Sequence, residues 1–335
     1  MSGAQLLGPD GKPIWLRGFN WGRHDTTQPE DGRGNVERGA NLVRIPFRWY
    51  FEGPKADMRQ TSGPGHFSPE GLRKLDEQIR VATEAGLWVV LFGGSDKGAG
   101  DLDDNYWSNP ALRREFFEAW SFIAERYKNT PRIAAYELLS EPHPKKPVTS
   151  NDLRSFYEEL IGTIRKVDQR TPLVIGPNDH YSIDQLQGVY TKVDDKLIYA
   201  ANFYLPKEYC KPWRRGNKGE APASYPGNYV DKKGVAHRID RDALAAALKP
   251  ALDFRARNHV PVFIDQVGCM TSVPGVLDYT RDTLALMKAN QVHWAFWTYR
   301  VANAGPMEHG LWYNPGDGWK LKTELDKVLR EAMKP

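Results

Sequence analysis

Tyr136-Glu137-Leu138-Leu139-Ser140-Glu141-Pro142-His143 and Pro261-Val262-Phe263-Ile264-Asp265-Gln266-Val267-Gly268 are built to one plan. Each is a short apolar run that ends in a polar residue and then in a residue that interrupts extended structure. A continuous apolar run bounded in this way is the pattern of a strand buried on both faces. Working outward, apolar runs with polar or Gly-rich ends appear at 16–20, 42–47, 87–92, 133–139, 173–175, 197–201, 260–264 and 292–297. Amphipathic stretches lie between them at 69–85, 110–128, 151–167, 240–258 and 274–290, and a final one at 321–333 closes the chain. Pro69 and Pro110 fall in a first helical turn, where the missing N–H costs nothing. Gly86 suits a helix C-terminus and Asn151 an N-cap.

Strands alternating with helices, with no composition break, predict a single α/β domain over 1–335, a (β/α)8 TIM barrel. Residues 5–15, around Pro9-Asp10-Gly11, add a short N-terminal β-hairpin. The main alternative, a doubly wound open sheet, lacks its phosphate-binding fingerprint: Gly32-Arg33-Gly34 has no third glycine. The long segments 96–109, 203–238 and 301–320, rich in Trp, Tyr, Gly and Pro, fall after strands. In a barrel that is the end where sites are built.

Composition narrows the function. The 335 residues carry a formal charge of +4 and no Lys/Arg block, which argues against nucleic acid as a partner; the basic stretch 207–218 reads as a solvated loop. No apolar run reaches the ~18–20 residues that span a bilayer, so no membrane partner is expected. Met1-Ser2-Gly3-Ala4-Gln5 has no basic segment leading into an apolar one. The expectation is a cytoplasmic protein, or a secreted or periplasmic one if a leader has been removed. Cys210 and Cys269 are the only cysteines and have no metal-ligand spacing. Two free thiols are expected, with a bridge between neighbouring loops as the alternative. No cofactor or metal is called for, and His24, His143 and His180 read as sugar-contacting or solvated loop residues. A monomer is expected.

Two strand ends facing one cleft suit chemistry that needs paired carboxylates. In glycoside hydrolysis one protonates the leaving oxygen while a second, about 5–5.5 Å away in retaining enzymes, attacks the anomeric carbon. Glu141 and position 266 fall at the ends of the fourth and seventh expected strands. The chain resembles glycoside hydrolase family 5, cellulase-like members of the retaining (β/α)8 clan, over essentially its whole length. The likeness is carried by Leu16-Arg17-Gly18-Phe19-Asn20-Trp21, Asn41-Leu42-Val43-Arg44-Ile45-Pro46-Phe47 and Tyr136–His143, then by Asn202-Phe203-Tyr204, Pro261–Gly268 and His293-Trp294-Ala295-Phe296-Trp297. It implies a β-linked oligo- or polysaccharide as substrate and Glu141 as acid/base. Arg44 and Tyr204 would hydrogen-bond the nucleophile, and Trp297 would form the platform under the sugar. Asn20, Trp21, Ser140, His143 and Asn202 complete the expected substrate-binding and supporting set. Trp49, Trp107, Trp213, Trp312 and Trp319 are further platform candidates, Asn178 and Asp179 sit between turn and sugar-binding roles, and Glu137 reads as a buried structural carboxylate.

The departures sharpen the expectation. Ser140 stands where the family has an Asn that reads the 2-hydroxyl, and Gly94 and Asn202 each stand where it has a His. Three smaller groups predict an enlarged or reshaped subsite and a preferred sugar, or substitution pattern, that need not be plain glucan. The fourth departure is Gln266 at the nucleophile position. Gln matches Glu in shape but is neutral and a very poor nucleophile. Asp265 is not expected to replace it, because neighbouring strand residues point to opposite sides. Retention of the surrounding residues favours a Glu→Gln nucleophile variant of a retaining hydrolase. A natural glycan-binding pseudoenzyme is the alternative, and a transglycosylase is a third reading on the same scaffold.

Overall fold

The computed structural model describes residues 1–21, 27–50, 62–95, 109–144, 147–211, 224–231, 233–302, 304–305 and 307–334, with 48–50 and 94–95 as backbone. His24, Trp107, Trp213, the side chain of Trp49 and most of 96–109 and 207–218 lie outside the described residues. Eight parallel strands close into one barrel: β1 Arg17–Asn20, β2 Leu42–Tyr50, β3 Trp88–Ser95, β4 Ile133–Glu137, β5 Leu173–Ile175, β6 Leu197–Phe203, β7 Val262–Val267 and β8 His293–Phe296. The expected (β/α)8 architecture is the observed one, and Leu6–Leu7 pairs antiparallel with Pro13–Ile14 as the expected hairpin.

Strand alternation divides the apolar residues into two sets. One face of each strand packs outward, where Val43, Leu91, Tyr136, Tyr199 and Ile264 join the helices in the large core. The other points into the barrel, where Leu16, Leu42, Val90, Ala135, Val174, Ile198, Phe263 and Ala295 form a closed apolar plug. Two residues further along that inner face come Arg44, Phe92, Glu137 and Asp265. A polar floor therefore sits on the plug, facing the C-terminal ends of the strands.

The helices follow their sequence signals. Pro69–Glu84 is capped by the Ser68 side chain, Pro110–Tyr127 by Asn109 and Arg241–Asn258 by Asp240. One cap is corrected. Helix Ser150–Arg165 starts at Thr149, whose hydroxyl and Asp152 form a reciprocal capping box, so Asn151 lies inside the first turn. Sequence periodicity missed several short elements, among them the helix Asp31–Val36, the 3-10 turn Ile183–Val189, the hairpin Gly227–Val230 with Ala236–Ile239, and a sheet of Arg300–Ala302, Trp312–Asn314 and Lys320–Leu321. Each is too short to establish a period. Among the described residues no helix is long and apolar enough to cross a membrane.

The expectation of free thiols is overturned. Cys210 and Cys269 form a disulfide, with Cα atoms 4.4 Å apart, closing 59 residues of sequence. The Met270 amide donates to the Cys210 carbonyl at 3.1 Å, so the two loops are joined by backbone as well. Restricting a loop of that length in the unfolded chain is worth about 2–4 kcal/mol. Reduction, or Cys210→Ser, is expected to lower the urea midpoint accordingly; an unchanged midpoint contradicts it.

His293 on β8 is buried, and its Nδ1 accepts the Leu16 amide at 3.0 Å. Burial first, and then the charge of Arg255, push its pKa from the ordinary 6.5 down to about 4. The folded state therefore holds it neutral while the unfolded chain takes up a proton below pH 6.5. Stability is expected to fall as pH drops from 6.5 towards 4, by up to about 3 kcal/mol from this residue. Chemical unfolding across that range, with His293→Asn as a non-titrating acceptor, should show a shallower slope in the variant. Equal slopes would rule the effect out.

Candidate active site

The polar floor is organised by Arg44, which is completely buried. Its Nε and Nη2 donate to both oxygens of Glu137 at 2.6 and 2.5 Å. Nη1 donates to Asn20 Oδ1 at 2.8 Å, and Nη2 also donates to Ser140 Oγ at 2.7 Å. The guanidinium lies 3.6 Å from the ring centre of Phe92 and 3.1 Å from Asp265 Oδ2. The Asp265 contact lacks hydrogen-bond geometry, and neither carboxylate oxygen accepts a hydrogen bond from the described residues. Burial first, and the Glu137 carboxylate second, push Asp265 well above the usual carboxylate range, and Arg44 offsets this only in part. Asp265 thus belongs to the floor as a carboxyl group that resists ionisation.

A bulge in β7 lets the next residue reach the cleft. Ile264 pairs with Ala201 and Gln266 with Asn202, so Asp265 and Gln266 together oppose one residue of β6. Such an insertion re-aims side chains. Asp265 faces the buried guanidinium, while Gln266 Oε1 accepts from the Tyr204 hydroxyl at 2.9 Å. Arg44 was expected to grip the residue at 266. It instead holds Glu137 and faces Asp265, because its side chain is at the level of the floor, whereas Tyr204 is bonded to residue 266.

Glu141 follows β4 with φ of 50°, a left-handed conformation that non-glycine residues adopt at a cost of roughly 1 kcal/mol or more. Its Oε1 accepts from Asn202 Nδ2, which also donates to the His180 carbonyl at 3.1 Å. Both contacts need a donor, so the Asn202 amide orientation is fixed by its partners. Asn202 is the penultimate residue of β6, and Tyr204 follows directly after the strand. One takes Glu141 and the other Gln266.

Other expected site residues fall into place differently. Trp297 is partly buried beside Gly268, its amide donating to the Val267 carbonyl at 2.9 Å, and the Trp297–Thr298 peptide is cis. Asn20 is a clamp below the site, its Nδ2 donating to the Asp265 carbonyl at 2.9 Å. The Ser140 hydroxyl is engaged by Arg44 and buried, so it does not stand in for an amide reading the sugar. Trp21 is no platform: it is 3% exposed within the core, its indole N–H pointing to Asn35. Trp312 and Trp319 lie around Arg300, whose guanidinium is within 5.2 and 4.8 Å of their ring centres.

His143 and His180 stack at 4.2 Å on the rim, and His143 Nδ1 is 3.7 Å from Asp179. Burial chiefly lowers the His180 pKa, partly countered by Glu141. With Asp179 these imidazoles bring ligand atoms within 4.8 Å of one another, the one such grouping of possible cation ligands among the described residues. Near-parallel rings point their lone pairs alongside each other instead of at a common centre, so the arrangement is not a formed metal site. Sequence reading passed over Asp265 as part of the floor, although its two-residue spacing from Phe263 was the available signal.

A family model for cellulase (glycosyl hydrolase family 5) matches residues 7–303. The chain belongs to glycosyl hydrolase family 5. Endoglucanase C of Acetivibrio thermocellus is 23% identical over 288 residues, covering 79% of this chain and 81% of that protein. Mannan endo-1,4-beta-mannosidase 2 of Oryza sativa subsp. japonica is 23% identical over 332 residues, covering 85% and 70%. Cel5A of Thermotoga maritima, solved in complex with cellobiose, superposes with a TM-score of 0.73 at 20% identity, covering 94% of this chain and 97% of that one. The same protein solved with mannotriose gives the same values.

Proposed function

We propose that the site is that of a retaining β-glycoside hydrolase acting on a β-linked oligo- or polysaccharide, with Gln266 in the place of the nucleophile. The observation that carries this reading is the division of labour on β6, where Asn202 holds Glu141 and Tyr204 holds Gln266. Two neighbouring supports thus hold two groups beside one cleft, and membership of family 5 supports the retaining use of such a pair. Glu141 protonates the departing oxygen and later deprotonates the water. A carboxylate at 266, kept ionised by the Tyr204 hydroxyl, attacks the anomeric carbon. With Gln266 the chain binds the glycan but cannot form the glycosyl-enzyme. The endoglucanase and mannanase relatives support a β-1,4-linked glucan or mannan, or a substituted form of either. The test is to restore a carboxylate at position 266 and assay aryl β-glycosides. Gain of cleavage supports the reading, and no gain with glycan binding intact favours a binding protein.

A further inference from the structure

We infer that the chain, as it stands with Gln266, is suited to 2-acetamido-2-deoxy-β-glycosides, whose acetamido group supplies the nucleophile that the protein lacks. The inference rests on the reading of Glu141 as proton donor and names the substrate class for that same site.

Among the described residues, the carboxyl groups of the barrel floor are committed elsewhere. Glu137 has both oxygens on Arg44, and Asp265 is fully buried beneath Gln266 and resists ionisation. Glu141 is half-buried on the rim, and the rim's other described carboxylate, Asp179, lies against His143. A site with a proton donor and a neutral opposing group cannot perform double displacement, but it can serve a substrate that attacks itself. In a β-glycoside of gluco or galacto configuration the 2-acetamido group lies trans to the leaving oxygen. Its carbonyl therefore reaches the anomeric carbon from the face where the nucleophile would stand, here the side of Gln266 and Tyr204.

The surrounding groups match that path. The developing cation places positive charge on the acetamido nitrogen, and its N–H needs an acceptor. Gln266 Oε1 takes one hydrogen bond from Tyr204 and has a second lone pair. Asn202 Oδ1, beside Glu141, is buried and accepts no hydrogen bond from the described residues. Ser140, the residue before Glu141, keeps its short side chain turned onto Arg44. No amide is presented from that position against a bulky group at carbon 2.

The steps balance. The acetamido oxygen bonds to the anomeric carbon as the glycosidic C–O bond breaks, and the leaving oxygen takes the Glu141 proton. The resulting oxazolinium ion then sits opposite the Glu141 carboxylate. Water gives a proton to Glu141 and its oxygen to the anomeric carbon, the ring C–O bond breaks, and the acetamido group is regenerated with retained configuration.

The unmodified chain is to be assayed with 4-nitrophenyl 2-acetamido-2-deoxy-β-glucoside, its mono-, di- and trifluoroacetamido forms, and the plain 4-nitrophenyl β-glucoside. The expected result is cleavage of the acetamido substrate at least about 100-fold faster than the glucoside, stepwise slowing with each fluorine, and loss in Glu141→Gln. Fluorine weakens the carbonyl nucleophile without changing the protein, so the slowing reports participation by the substrate. Cleavage insensitive to fluorine overturns the inference. So does no acetamido cleavage when Gln266→Glu gains activity on the glucoside, which leaves the hydrolase reading standing. Inactivity of both proteins on every substrate overturns both.

Discussion

Gln266→Glu is expected to raise cleavage of aryl β-glycosides by about 10³-fold or more, from a background near the uncatalysed rate. A nucleophile removed from an otherwise assembled site costs several orders of magnitude, and about 1.4 kcal/mol of barrier accompanies each tenfold. Here the rest of the site is assembled. Glu141 is held by Asn202, the Tyr204 hydroxyl already donates to the side chain at 266, and Gln and Glu are isosteric. The new carboxylate would gain the Tyr204 hydrogen bond without moving. Asp265 cannot reproduce the effect, since the bulge in β7 turns it onto the floor. Two controls make the comparison sharp. Gln266→Glu combined with Tyr204→Phe should lose part of the gain, and Gln266→Glu combined with Glu141→Gln should lose nearly all of it on poor leaving groups.

The second large effect concerns stability. Arg44→Met is expected to cost about 3–5 kcal/mol, because it leaves Glu137 and Asp265 buried without their shared cation. Burial alone would lower the Arg44 pKa, but Glu137 and then Asp265 outweigh it, so the guanidinium stays charged throughout the accessible pH range. Arg44→Lys would be no remedy: a single ammonium cannot span both Glu137 oxygens, Asn20 and Ser140 at once. Urea unfolding measures the loss. Adding Glu137→Gln to Arg44→Met should restore part of it, since the pair is then removed together. A loss below about 1 kcal/mol, or no recovery in the double variant, contradicts this account of the floor.

Much of the scaffold was legible in the sequence because its signals are periodic. Eight apolar runs and the amphipathic stretches between them follow from burial on two faces or on one, and Pro69, Pro110 and Gly86 punctuate helices as their backbones require. The placement of Glu141, Gln266 and Tyr204 at strand ends or just beyond them was legible, because polar residues there interrupt apolar runs. What stayed hidden depends on register and loop packing. The bulge at Asp265 breaks the alternation that β7 otherwise keeps, and no local residue marks it. Arg44 was assigned to the wrong partner because strand position gives direction but not depth. Trp21 looked like a cleft residue for the same reason, and packs in the core. The Cys210–Cys269 bond joins loops whose approach is set by the barrel, not by sequence spacing.

The central claim is that position 266 is where the protein's own nucleophile belongs. The most direct measurement is to treat Gln266→Glu with an activated 2-deoxy-2-fluoro-β-glycoside and locate the label by peptide mass spectrometry. The account predicts one stable glycosyl adduct, carried by residue 266 and absent from the unmodified chain. An adduct on Asp265, or turnover of the parent glycoside with no adduct at 266, would contradict it.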